Sequence, residues 1–92
     1  MAIVVIQEID APVEQYDQVS EKLGDTPPDG LIVHAGIDLG DGKMKAVDIW
    51  ESAERYQAWV QNELIPAIAE VNPDAPEARE PEIHEVHDLV KS

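Results

Sequence analysis

The sequence predicts an α+β fold, a four-stranded antiparallel sheet with two helices on one face. Three observations lead there. Stretches rich in β-branched residues alternate with stretches whose apolar residues recur at helical spacing, in the order β-α-β-β-α-β. Turn residues stand between them. The strands are also apolar on both faces, although the chain has helices enough to cover only one.

The elements follow in order. "AIVVIQEI" (Ala2 to Ile9) reads as the first strand. Asp10 offers an N-cap for the helix after it and Pro12 suits a first helical turn. Val13, Tyr16, Val19 and Leu23 form the apolar stripe of that helix, and Gly24 is placed to end it. "DTPPDG" is a loop. "LIVHAGID" (Leu31 to Asp38) and "KMKAVDIWE" (Lys43 to Glu51) are the second and third strands, and Asp41-Gly42 between them signals a hairpin.

Ser52 can cap the second helix, with Glu54 near its positive end. Tyr56, Val60, Leu64, Ile68 and Val71 make its stripe, flanked by Trp59 and Ala67. Pro66 falls inside this helix and cannot donate to the carbonyl of Asn62, which predicts a kink. "NPDAPEAREP" is a proline-punctuated connector with little to pack. "PEIHEVHDLV" then sets His84 and His87 three positions apart. A helix would stack them on one face and a strand would part them. Ile83, Val86 and Val90 also fit helical spacing, but the preceding order calls for a closing strand. On that reading the two histidines share no metal.

Composition bounds the function. Ninety-two residues, 1–92, make a single domain. The chain has no cysteine, so disulfides and thiolate metal sites are excluded. No apolar run approaches the ~20 residues that span a bilayer, and no basic segment precedes an apolar one at the N-terminus, which predicts a soluble, cytoplasmic protein. Twenty acidic against six basic side chains give a net charge of −14. That field repels nucleic acid and anionic membranes. No clustered Asp/Glu loop has the pattern of a calcium site.

The doubly apolar strands predict a partner. Ile3 and Val5 lie on one face of the first strand, Val4 and Ile6 on the other. In the second, Leu31, Val33, Ala35 and Ile37 share a face, with Ile32 opposite. Each medium-sized apolar side chain left wet forgoes ~1.5–3 kcal/mol. Several of them rival the ~5–15 kcal/mol stability of a whole domain. A second copy, sheet against sheet about a twofold axis, covers them most simply, so the chain is expected to be a homodimer.

With "VDIWES" leading into an aromatic-bearing helix and "LIPAI" late in that helix, the chain resembles the dimeric α+β barrel superfamily. Its nearest branch there is the small antibiotic-biosynthesis-monooxygenase-like proteins. The resemblance implies a ferredoxin-like βαββαβ sheet of order 4-1-3-2, paired into a barrel. It implies an activity from a set that includes cofactor-free quinol-forming oxygenases, haem-degrading oxygenases, polyketide cyclases and lactone isomerases. Trp50, Glu51 and Ser52 match the strand-to-helix signature, and Pro66 matches the late proline. Many relatives carry histidines beside that proline, where this chain has Ile65, Ala67 and Ile68. The departure weakens any transfer of cyclase or haem-oxygenase chemistry that uses such a histidine.

His34 is the leading candidate for chemistry because it interrupts an otherwise apolar strand, where an imidazole needs a hydrogen-bond partner. With a three-residue loop, Gly40-Asp41-Gly42, Leu39 pairs with Lys43. His34 then lies opposite Asp48 and Ile32 opposite Trp50. A two-residue Asp41-Gly42 turn instead sets His34 with Val47 and Ile49. The first register is favoured, since Gly42 suits the left-handed position closing such a loop. Asp48 would there orient His34 and raise its pKa, making a general base. The bland alternative is a pair that only satisfies polar groups in the sheet.

Trp50, Tyr56 and Trp59 line an aromatic pocket or simply fill the core. His87 is placed near the expected dimer seam, as a substrate contact or a structural residue, and His84 is the wetter of the two. A metal held by His34 and His87 would need two subunits, because their strands stand at opposite sheet edges, roughly 14 Å apart. No metal site and no cofactor is expected. There is no glycine-rich phosphate loop, Gly-x-Ser-x-Gly elbow or His-Glu-x-x-His helix. The expected function is a small-molecule enzyme, a cofactor-independent oxygenase or a cyclase/isomerase acting on an aromatic or polyketide-like compound. The alternative is a non-catalytic metabolite-binding or protein-assembly module.

Overall fold

In the computed structural model, which describes residues 1–75 and 79–90, the chain runs β1 (Ile3–Ile9), α1 (Val13–Leu23), β2 (Leu31–Gly40), β3 (Lys43–Trp50), α2 (Ala53–Trp59), a π-helical turn (Val60–Leu64), α3 (Ile65–Val71) and β4 (Glu82–Glu85). The strands form one sheet of order β2-β3-β1-β4, and every neighbouring pair is antiparallel. This is the expected βαββαβ arrangement. The segment carrying His84 is a strand, with His84 opposite Val4 and His87 beyond the strand's end.

Register decides which side chains meet. Ile3 stands opposite Trp50 and Val5 opposite Asp48, so these four share one face. Both helices lie on that face. Tyr56 from α2 joins Ile3, Val5 and Trp50 in the buried core, and Leu31, Trp59 and Val60 pack against it. The opposite face carries Val4, Ile6, Val33, Ile37, Val47 and Ile49. None of these six is fully buried, and Val33 and Ile37 are 48% and 41% exposed.

The β2–β3 hairpin differs from both simple expectations. Its turn has two residues, Asp41 and Gly42, both with positive φ (54° and 74°). Gly40 therefore pairs with Lys43, yet Asp38 pairs with Met44. Leu39 is the extra residue of a bulge, and that one residue restores the parity a two-residue turn would have reversed. Gly40, with φ 78°, closes the bulge, and its N–H donates to Asp38 Oδ1 at 2.9 Å. His34 accordingly meets Asp48, not Ile49. A second bulge at Ile32 corrects the far end of the strand. Leu31, rather than Ile32, lies opposite Trp50, and it joins the helix-side core instead of the face bearing Val33.

Two further expectations are revised. Asp10 does not cap α1; the boundary residue is Pro12, without a side-chain cap. The Asp10 carboxylate is instead held by Arg79, with Nε to Oδ2 at 2.7 Å. Arg79 also reaches Glu8 at 3.2 Å, so the connector is tied to the end of β1 rather than left loose. Residues 76–78 of that connector lie outside the described residues. At Pro66, where a kink is expected, the helix changes its hydrogen-bond pattern. The π-helical turn precedes the proline, with the Ile65 N–H bonded to the Val60 carbonyl, and Pro66 falls in the first turn of α3, where no N–H is required. Ser52 does cap α2, its Oγ accepting from the Arg55 N–H at 3.2 Å.

Candidate functional site

The helix-side face of β2 and β3 holds a chain of four polar side chains. Asp48 is buried in the central region of the sheet, with 9% of its side chain exposed, while His34, one strand nearer the edge, keeps 37%. A carboxylate so placed needs donors to offset its lost hydration. It has two. His34 Nδ1 donates to Oδ1, and the Trp50 indole Nε1 donates to Oδ2 at 3.3 Å. With Nδ1 carrying the proton, His34 Nε2 is an acceptor, and the Tyr16 hydroxyl of α1 donates to it. The Tyr16 and His34 rings lie nearly parallel, 7° apart with centroids at 6.2 Å. The line runs from Tyr16 through His34 to Asp48, with Trp50 behind.

The electrostatics follow from this line. The hydrogen bond to Asp48 raises the His34 pKa above its ordinary 6.5, against the opposing effect of burial. Burial first, then the Asp48 charge, pushes the Tyr16 phenol upward, so Tyr16 stays protonated at neutral pH. Burial raises Tyr56 in the same way.

A pH dependence of stability follows. A histidine whose pKa is raised on folding stabilises the fold fully below its unfolded value and loses that contribution as pH climbs through the folded value. The window therefore opens near 6.5 and extends upward. The urea midpoint of the native chain should exceed that of His34→Gln by a margin that shrinks as pH rises above 6.5. A margin that grows with pH would contradict the assignment.

The other residues expected at the site are placed as follows. Trp50 is 0% exposed. It lies 5.7 Å from Tyr56, edge to face, and 5.3 Å from Trp59. These aromatics pack together in the core, and the indole N–H of Trp50 donates to Asp48. Only Trp59, half-buried, retains surface beside them. His87 is exposed and follows β4, at the sheet edge opposite β2, so the structure does not bring it to His34. His84 Nε2 pairs with Glu82 Oε1 at 3.0 Å, at that same far edge. Among the described residues, no three His, Asp or Glu side chains are grouped as metal ligands. One cleft of about 490 Å³ is lined by Gln18, Glu21, Lys22 and Val71, and another of about 250 Å³ by Ile6, Glu8, Lys45, Arg79, Glu80 and Glu82. Neither includes His34.

Tyr16 was hidden among the apolar positions of a helix. Its spacing assigned it to the stripe with Val13 and Val19, and nothing in that pattern distinguishes a phenol that packs from one that donates. A half-buried tyrosine hydroxyl nevertheless requires a partner, and the one polar side chain in the apolar run of β2 is His34.

Comparison with protein-family profiles gives no match, and comparison with curated proteins gives none either. Solved structures do match. A candidate antibiotic biosynthesis monooxygenase from Chloroflexus aurantiacus superposes with a TM-score of 0.71 at 19% identity, over 99% of this chain and 98% of that one. The chain has the fold of the antibiotic-biosynthesis-monooxygenase-like proteins. A variant of SnoaB, a cofactor-independent oxygenase from Streptomyces nogalater, gives 0.59 at 13% identity, over 99% and 98% of the two chains. A haem-degrading protein of Mycobacterium tuberculosis gives 0.55 at 22%, over 99% and 100%. The likeness to the first of these structures extends over 99% of this chain. Among the described residues, no helix is long and apolar enough to cross a membrane.

Proposed function

We propose that the protein is a small-molecule enzyme whose base is His34, oriented and charged by Asp48, acting on a hydroxylated aromatic or polyketide-like compound. The observation that carries this reading is an accessible imidazole backed by a buried carboxylate on one face of the sheet. In a cofactor-independent oxygenation the substrate supplies the electrons. Removing a phenolic proton gives an electron-rich anion that can reduce dioxygen. A ring CH2 becomes C=O, and its two hydrogens leave as water with the second oxygen atom. Cyclisation or isomerisation needs the proton transfer without the oxygen. SnoaB, which shares the fold, is a cofactor-independent oxygenase.

The enzyme is a homodimer in this reading, joined through the face that bears Val4, Ile6, Val33, Ile37, Val47 and Ile49, which the chain's own helices leave uncovered. Tyr56 and Trp59 back the site. Its charge of −14 suits a soluble cytoplasmic protein that binds neither nucleic acid nor anionic membrane. A non-catalytic metabolite-binding or assembly module is the second reading, favoured by the burial of Trp50 and Tyr56 in the core.

Incubation with a panel of hydroxylated polycyclic aromatics, following oxygen uptake and product mass, separates the two. The enzyme reading expects conversion that falls at least about 100-fold in His34→Ala while the oligomeric state holds. Saturable binding without conversion would favour the module.

A further inference from the structure

Both imidazole nitrogens of His34 are already engaged, Nδ1 by Asp48 and Nε2 by the Tyr16 hydroxyl. A substrate proton has no free lone pair to reach on the histidine itself. The outermost atom of the line with acceptor capacity is the Tyr16 oxygen, whose single proton is committed to Nε2. We infer that Tyr16, seated against Gly36, is the residue that exchanges a proton with the substrate and passes its own to His34. This rests on the acid–base reading above and names a further catalytic residue for it.

Gly36 is the independent observation. It follows His34 by two residues on the same face of β2, opposite Ala46. A Cβ built on it would fall 2.6 Å from the Tyr16 hydroxyl oxygen and 2.9 Å from its Cζ. Gly36 is not among the glycines with positive φ, so its backbone does not demand glycine. The space does. Any side chain at this position forces the Tyr16 phenol to shift where it meets His34, which makes Gly36 a positioning residue.

The step balances without a cofactor. The substrate O–H transfers its proton to the Tyr16 oxygen while the Tyr16 proton moves to His34 Nε2. One O–H bond is remade, one is broken, and one N–H forms. The substrate is left as an anion, and the imidazolium rests beside the Asp48 carboxylate. Because the Tyr16 proton already points at Nε2, the tyrosine can accept from the substrate only as it gives that proton up. A phenol hands its proton to a tyrosine with little uphill energy, whereas an aliphatic alcohol is a far weaker acid. The substrate's reacting hydroxyl is therefore phenolic or enolic.

Nitrogen-15 NMR of the full chain tests the seat without any substrate. In the native protein the neutral imidazole should carry its proton on Nδ1, with the Nε2 resonance displaced by its hydrogen bond. Tyr16→Phe and Gly36→Ala should both move Nε2 to its unbonded position and leave the Nδ1 proton in place. An Nε2 resonance unchanged in Tyr16→Phe overturns the inference. Contact with substrate is read with 2-naphthol and its methyl ether as probes. The native protein should bind the naphthol at least about 5-fold more tightly than the ether, the effect of one hydrogen bond, and Tyr16→Phe should erase that preference. Equal binding of both probes by the native protein also overturns it. With any compound the native protein converts, Tyr16→Phe and Gly36→Ala should each lower kcat about 100-fold, while KM rises by no more than about the 5-fold worth of one hydrogen bond. Full kcat in Tyr16→Phe is contrary. Failure to convert any compound in the oxygen-uptake panel counts against the oxygenase reading alone, and the NMR and naphthol measurements then decide the role of Tyr16.

Discussion

Trp50→Ala is expected to remove about 3–5 kcal/mol of stability and to leave much of the chain unfolded at room temperature. Trp50 is the side chain the fold covers completely. It lies opposite both Ile3 and Leu31 in the sheet and touches the rings of Tyr56 and Trp59. Truncation opens a cavity at the junction of three strands and the second helix. It also removes the indole donor from Asp48 Oδ2, so a buried carboxylate loses one of its two partners. A domain of this size holds roughly 5–15 kcal/mol in all, and such a loss consumes a large share of it. Trp50→Phe separates the contributions, because it keeps most of the volume and loses only the hydrogen bond, for about 1–3 kcal/mol. Urea unfolding followed by circular dichroism gives both numbers. A loss below about 1 kcal/mol in Trp50→Ala would mean that the aromatic cluster is not the core.

The second large effect concerns the outer face. Val33→Glu should weaken self-association at least about 100-fold, producing a monomer at micromolar concentration. Val33 is 48% exposed in the single chain, so the monomer tolerates the charge. In a twofold contact every substitution appears twice, and a sheet-to-sheet interface would desolvate two carboxylates. The chain already carries a charge of −14, which adds repulsion between the copies. Sedimentation velocity of the native chain and the variant measures this directly. Identical, concentration-independent monomer sedimentation for both would remove the dimer.

The order of elements was legible because β-branched strands and a 3.6-residue stripe leave different marks on a sequence. The His34–Asp48 pairing was legible too, but through a compensation. The two-residue turn and the Leu39 bulge each shift the register by one, so the residues meet where a three-residue loop would have put them. Bulges have no strong sequence mark. That is why Leu31 and Ile32 exchanged places at the other end of β2. The helix around Pro66 was unreadable for a related reason, since a change from α to π pairing alters hydrogen bonds without altering composition. Asp10 could not be recognised as Arg79's partner because 69 residues separate them. Tyr16 looked apolar because only tertiary structure shows which end of a tyrosine is used.

Titration of the His34 imidazole by proton NMR tests the central claim, that Asp48 turns this histidine into a base. In the native chain its midpoint should lie above 6.5. In Asp48→Asn, where the amide carries no charge, it should fall back toward or below that value. A native midpoint at or below 6.5, or one that Asp48→Asn leaves unmoved, would contradict the account.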